Sequence, residues 1–460
     1  MLKRKENNSI TEGVIWKAIL TFFFPILLGT FFQQMYNTVD AIVVGKYVGK
    51  EALAAVGGAT GSLINLIVGF FVGLSSGATV ILSQYWGARN REGAEKTVHT
   101  AMAMVLIFGV VLTAFGMIYS PSLLKLMGLQ DDVMLYAAPY IRIYFSGTLF
   151  SLVYNIGSGL LRAVGDSRRP LYFLIAACIV NIVLDILFTV GFDMGVEGAA
   201  LATVLSQVVS SVLVVVTLVR SQDAYRLQFR KIRLEGQTLR AITRIGLPTG
   251  LQSVLFSISN TLVQSAMNRF DANVLAGYTA YGKLDAFQWM VLNAFGIAIS
   301  TFVGQNVGAG QMQRVKKGVG QCLAMSSAAT VGFSVVYLLF GKPLLSMFAN
   351  DSEVLSVGAK ILTLIAPFFL TYVPVEILGG SLRGAGNSLA PTLMTLAGIC
   401  VTRVIWVLWI APITGTVELL LWCYPVTWIL TSLLHIFYYR FGKWTQPKTN
   451  RKNQGKEDLI

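Results

Sequence analysis

The chain has 460 residues, of which 55% are hydrophobic and only 13% charged, with a formal net charge of +14. Soluble domains carry about 25% charged residues, so this chain cannot solvate its own surface and lipid must cover much of it. The basic residues lie between apolar runs and in the two tails, which excludes the nucleic-acid partner that the charge alone suggests.

The opening stretch MLKRKENNS lacks the compact apolar core and small-residue cleavage site of a secretory signal, so the first span is expected to stay in place. Apolar runs long enough to cross a bilayer then recur to the end of the chain, and in lipid such runs must be helices. Spans are predicted at about 16–42, 53–83, 97–119, 134–160, 170–190, 196–219, 242–267, 274–303, 318–340, 354–381, 391–411 and 417–439. Charge sorts cleanly on this frame. With span edges counted, the tails and even-numbered loops hold 27 of the 36 Lys and Arg, and the odd-numbered loops hold six together with nine acids, so both termini are expected to be cytoplasmic.

The sequence repeats itself at an offset of 221 residues. Gly159-x-Leu161-Arg162-x-x-Gly165-Asp166-Ser167-x-x-Pro170 returns as Gly380-x-Leu382-Arg383-x-x-Gly386-Asn387-Ser388-x-x-Pro391, and Gln84-x-x-Gly87-Ala88 returns as Gln305-x-x-Gly308-Ala309. Pro25 returns as Pro248, two residues later than that offset. The expected fold is therefore an all-α membrane protein of twelve transmembrane helices in two six-helix lobes. Six is an even number, so the lobes enter the membrane in the same sense and are related by a pseudo-two-fold axis along the membrane normal. The expected divisions are an N-terminal lobe over 1–219, a basic cytoplasmic linker over 220–241, a C-terminal lobe over 242–440 and a polar tail over 441–460.

No Walker A, HExxH or GxSxG pattern occurs, and the two histidines, His99 and His435, fall at span edges and read as interfacial side chains. Cys178, Cys322, Cys400 and Cys423 stand singly in apolar runs and read as buried small hydrophobes. An enzyme and an ATP-driven pump are both disfavoured, and no cofactor is expected. Chemistry then rests on the four acids within spans, Asp40, Asp185, Asp285 and Glu376. Each costs about 2.5–3.5 kcal/mol at a helix centre, which marks it as a candidate site. Asp40 shares a helix face with Tyr36 and Gln33, and Asp185 with Asn181. A carboxylate with an amide one turn away offers several oxygens to Na⁺, and a buried carboxyl can instead exchange a proton. The in-span bases Lys283 and Arg403 are candidate partners for Asp285 and Glu376, while Arg142 near a span end can snorkel. Pro25 permits a kink in the first span and is a candidate hinge. Tyr140, Asn155, Thr203, Gln252, Asn260, Gln264 and the large apolar side chains Phe287, Trp289 and Met290 complete the polar and cavity-lining candidates.

Pro25 with Gln33-x-x-Tyr36-x-x-x-Asp40 and Val44-Gly45, the two Gln-x-x-Gly-Ala loops and Asn181-x-x-x-Asp185 together resemble the multidrug and toxin extrusion (MATE) transporter family, over about residues 14–440. The resemblance implies antiport of amphipathic organic cations against Na⁺ or H⁺ by rocker-switch alternating access, in a bacterial cytoplasmic membrane. It maps a cation-coupling site, with Na⁺ as one candidate ion, onto Asp40, Asn181, Asp185 and Thr203, and matches Tyr36 and Asn155 to the same cavity. Gln33, Tyr140, Gln252, Asp285, Trp289 and Glu376 remain cavity or substrate candidates. The chain departs from some branches by having no acid in span 7. A monomer in contact with membrane lipid is expected. The alternative is a flippase for lipids or lipid-linked oligosaccharides of a related fold.

Overall fold

The computed structural model describes residues 10–444. The opening stretch and most of the expected polar tail lie outside the described residues. The described chain is all-helical, and ten helices are long and apolar enough to cross a membrane. They are α1 Ile15–Tyr47, α2 Glu51–Gly87, α3 Arg91–Leu126, α5 Arg168–Gly191, α6 Gly195–Arg220, α8 Ala272–Gly308, α9 Met312–Leu345, α10 Ser352–Gly384, α11 Leu389–Ile413 and α12 Val417–Phe441. The remaining two spans are α4, built of Asp131–Ser146 and Thr148–Ala163, and α7, Gly236–Met267. Each falls outside the ten for a visible reason: α4 is interrupted at Gly147 into two shorter pieces, and α7 carries Arg240, Arg244, Gln252, Asn260 and Gln264. The fold is thus twelve helices in two lobes of six.

The chain divides into two compact units. One is Leu20–Ser257, and the other joins the described part of Met1–Ile19 to that of Ile258–Ile460. The cuts fall inside α1 and α7, not in loops.

Within Leu20–Ser257, α2 and α7 touch backbone to backbone. A Cβ at Gly73 would stand 2.6 Å from the Gly250 Cα, and one at Gly77 would collide with the Ile242 carbonyl and Gly246. Glycines four apart on both helices allow this approach, in the manner of small-residue helix pairs in membranes. The segment between α6 and α7 is folded, not loose. Tyr225 and Leu227 are buried in the core with Leu218 and Ile242. The Gln228 N–H donates to His99 Nε2 at 3.0 Å, and His99 Nδ1 lies 2.7 Å from the Glu95 carbonyl. Since Nε2 accepts, the proton sits on Nδ1. In the other unit, Arg314 donates to the carbonyls of Ile10, Glu12 and Gly13, the last at 2.8 Å, and fastens the start of α1.

Both histidines are buried, which corrects the interfacial reading; each bonds to the carbonyl four residues earlier, Glu95 for His99 and Thr431 for His435. All four cysteines are buried and free. The duplication shows in backbone detail as well. Gly165 and its repeat Gly386 both take positive φ, 97° and 87°, while Arg89 at φ 56° stands where the second copy has Gly310.

Candidate functional site

Three helices of the first unit bring one polar cluster together. α1 supplies Asp40, α5 supplies Asn181 and Asp185, and α6 supplies Thr203, all at most 7% exposed. Thr203 Oγ1 donates to Asp40 Oδ2 at 3.2 Å, a link across 163 residues of sequence, and lies 3.1 Å from the Ala199 carbonyl. The Asp40 carboxyl faces the Asp185 carboxyl and the Asn181 carboxamide. Thr189 Oγ1 donates to Asp185 Oδ1 at 3.3 Å. No well-aligned donor reaches Asp40 Oδ1 or Asp185 Oδ2, and both ends of the Asn181 carboxamide are likewise without an aligned partner.

Buried polar atoms are seldom left so. Two carboxylates can only accept, so they cannot bond to one another unless a proton sits between them or a cation lies on both. The donor set is all oxygen apart from the amide nitrogen, which suits a hard cation or a proton and not a thiophilic metal. Among the described residues, no group of three or more His, Cys, Asp or Glu side chains is placed to hold a metal ion.

Local helix geometry positions the pair. α5 is α-helical as far as Asp185, and the next turn, Ile186–Gly191, is a π-helix. Such a wide turn disrupts the ordinary ladder of backbone bonds and often accompanies function. α1 runs as one α-helix through Pro25 to Tyr47. Around the carboxyls stand Tyr36, in contact with Gln33 and near Tyr144, and Tyr140, which stacks on Tyr144 with ring centroids 6.4 Å apart. Gln207 reaches Tyr144. α4 supplies Tyr140 and Tyr144, and Tyr36 comes from α1; the Asn155 amide, also on α4, donates to the Ser151 carbonyl of its own helix at 2.8 Å. Gln252 on α7 is half-buried.

Thr189, Tyr144 and Gln207 were missed from sequence. Each lies four residues from a residue that was singled out, Asp185, Tyr140 and Thr203, so the same one-turn rule would have found them.

The other unit is built differently. Asp285 on α8 accepts from the Trp289 indole at 2.8 Å, one turn on. Trp289 meets Tyr372 edge to face at 4.5 Å, and both lie near Trp428, at 6.2 and 5.9 Å. Arg403 is fully buried. It donates to Asn260 Oδ1 at 2.6 Å and lies over the Tyr424 ring at 4.7 Å. Glu376 pairs with Arg383, at 3.5 Å, in place of the expected Lys283 or Arg403, because the two share one helix face seven residues apart. Lys283 is exposed.

The MatE family model matches the chain twice, over residues 25–187 and 248–409, so both matches begin at the repeated proline. The chain is 28% identical over 446 residues to the probable multidrug resistance protein YoeA of Bacillus subtilis, covering 95% of this chain and 96% of that one. It is 29% identical over 439 residues to the probable multidrug resistance protein YpnP of the same organism, at 95% and 98% coverage. A solved multidrug resistance MATE family transporter of the MOP superfamily, in an outward-facing conformation, superimposes with a TM-score of 0.87 at 23% identity, over 95% of this chain and 98% of that one; at that identity the likeness speaks to the fold alone.

Proposed function

Because the chain belongs to the MatE family of membrane transporters, we propose that it is a secondary antiporter that exports amphipathic organic cations in exchange for Na⁺ or H⁺. The observation that carries this reading is the pair of buried carboxyls, Asp40 and Asp185, each with an oxygen that no aligned protein donor reaches. Such a pair needs a positive charge to be buried, and releasing that charge alters how α1 and α5 pack. Asn181 and Thr203 supply the neutral oxygens that complete a site for Na⁺, or steady a shared proton. The coupling ion is thus handled by residues of the first lobe.

The drug is handled by aromatic surface. Flat cations are attracted to ring faces and to a nearby carboxylate, and α8 and α10 offer Trp289, Tyr372 and Asp285 together. Alternating access would carry the drug outward and the ion inward. The excess of Lys and Arg on alternate loops supports a chain with both termini in the cytoplasm of a bacterial cell. The test is drug efflux from proteoliposomes of purified protein, driven in parallel by a Na⁺ gradient and by a pH gradient. One of the two gradients is expected to drive ethidium transport in the wild type and neither in Asp40→Asn. Transport that runs equally with no ion gradient would remove the antiport reading.

A further inference from the structure

The segment 221–235 between α6 and α7 has two unlike faces. Its inner face is pinned to the first unit. Tyr225 and Leu227 are 8% and 1% exposed. Lys231 Nζ meets Glu95 at 2.6 Å, Lys96 meets Glu235 at 3.1 Å, and the Glu235 N–H points at Thr100 Oγ1. Thr238 and Lys96 hold the Glu235 carboxyl below its usual range. These contacts engage Lys231 and Glu235 against α3.

What faces outward is Arg226, Arg230 and Arg233, all exposed, with Phe229 at 64% and Leu234 at 45% exposure among them. Asp223 is the segment's other acid and is exposed too. The outer face is therefore net positive and carries two large apolar side chains on a backbone held rigid from beneath. A hydrated loop gains nothing from showing Phe229 to water. Arginines beside apolar anchors match the boundary between headgroups and acyl chains, where guanidiniums meet phosphate and the rings and aliphatics enter the lipid.

We propose that this outer face docks on anionic phospholipid headgroups, with Phe229 and Leu234 inserted and Arg226, Arg230 and Arg233 on the phosphates. The leaflet it meets rests on the cytoplasmic orientation proposed above; the lipid chemistry does not. Each basic residue near an anionic surface strengthens association by about fivefold, so the three together are worth on the order of 100-fold.

The test uses the full chain in nanodiscs of phosphatidylcholine, or of phosphatidylcholine and phosphatidylglycerol in equal amounts. A single environment-sensitive nitrobenzoxadiazole label is placed at Leu234→Cys, which is selective because the native cysteines are buried. The expected result is a blue-shifted emission, quenched by spin-labelled lipid, in the phosphatidylglycerol discs only. High salt should reverse it, since the Debye length falls to about 3 Å at 1 M. The triple variant Arg226→Gln, Arg230→Gln, Arg233→Gln should lose the lipid dependence, and Phe229→Ser should weaken the shift while keeping its salt sensitivity. Emission that is the same in both lipids, or a lipid dependence that survives the triple variant, overturns the proposal. A membrane-impermeant maleimide applied to intact cells separates the orientation: labelling of Leu234→Cys from outside would overturn the cytoplasmic placement and leave the lipid result standing.

Discussion

The two lobes share a scaffold and differ at the positions where the first one holds its carboxyls. At the repeat offset, Asn181, Asp185 and Thr203 correspond to Thr402, Trp406 and Tyr424. The π-helical turn survives in both copies, as Ile186–Gly191 and Trp406–Ile410. In the second copy the site is filled by rings: Trp406 bonds to the Leu419 carbonyl at 2.8 Å, and Tyr424 lies beneath Arg403. The converse holds at the other end, where Asn155 and Arg162 of the first lobe correspond to the Glu376–Arg383 pair of the second. Duplication kept the backbone devices that shape helices and moved the charges. A buried carboxyl facing another carboxyl is the feature of the first lobe; in the second, Asp285 bonds to Trp289 through one oxygen and has no aligned donor on the other, and Glu376 pairs with Arg383.

The comparison breaks most sharply at the pair itself. Asp40→Asn and Asp185→Asn should each reduce ion-driven efflux to that of protein-free liposomes while the protein still inserts, as judged by gel filtration in detergent. Next in size, Gly246→Leu should wedge α2 from α7, at a cost of about 1–3 kcal/mol for overpacking, seen as a lower melting temperature. Gly282→Leu on α8, where an added Cβ meets nothing within 4 Å, is the matched control and should melt no lower than the wild type. Glu376→Gln sharpens the contrast between the lobes. It leaves Arg383 without its carboxylate in a largely buried place, so stability should fall by about 1–3 kcal/mol, yet the ion-to-drug ratio should stay unchanged. A changed ratio would mean that the second lobe handles the ion too. Thr203→Ala removes one hydrogen bond to Asp40, worth about 1 kcal/mol, and should weaken the apparent ion affinity several-fold, with Thr203→Ser restoring it. The smallest effect concerns pH at the linker. Glu235 is held below its usual range, so its contribution to docking is present above the unfolded carboxyl value and is lost as pH falls through the lowered one. Acidification below the ordinary carboxylate range should therefore loosen residues 221–235, visible in the emission of the Leu234→Cys label; Glu235→Gln should shrink that step, leaving the part that Glu95 contributes through Lys231.

Much of this was legible in the sequence because membranes simplify the code. Span length, the sorting of Lys and Arg, and the repeat at 221 residues fixed twelve helices in two lobes, and the cost of an acid in lipid pointed to Asp40 and Asp185. The rest depended on packing. Glu376 was offered Lys283 and Arg403 because Arg383 reads as a loop residue, although seven residues on a helix bring the two onto one face. The histidines looked interfacial from their place at span edges, but neighbouring segments fold over them. The cut inside α7 accompanies its close glycine contacts with α2, and the one inside α1 accompanies Arg314's bonds to the residues before that helix; no hydropathy profile resolves either. Thr189, Tyr144 and Gln207 were within reach of the one-turn rule and needed only its wider use.

The central claim is that the ion is coupled through the first lobe's carboxyls alone. The most direct measurement is ion-driven ethidium efflux from proteoliposomes, with Asp40→Asn and Asp285→Asn compared side by side under the gradient that drives the wild type. The account predicts no driven efflux for Asp40→Asn, and for Asp285→Asn driven efflux that persists with a raised KM for the drug. Driven efflux that persists in Asp40→Asn, or is abolished by Asp285→Asn while the protein remains folded, would contradict it.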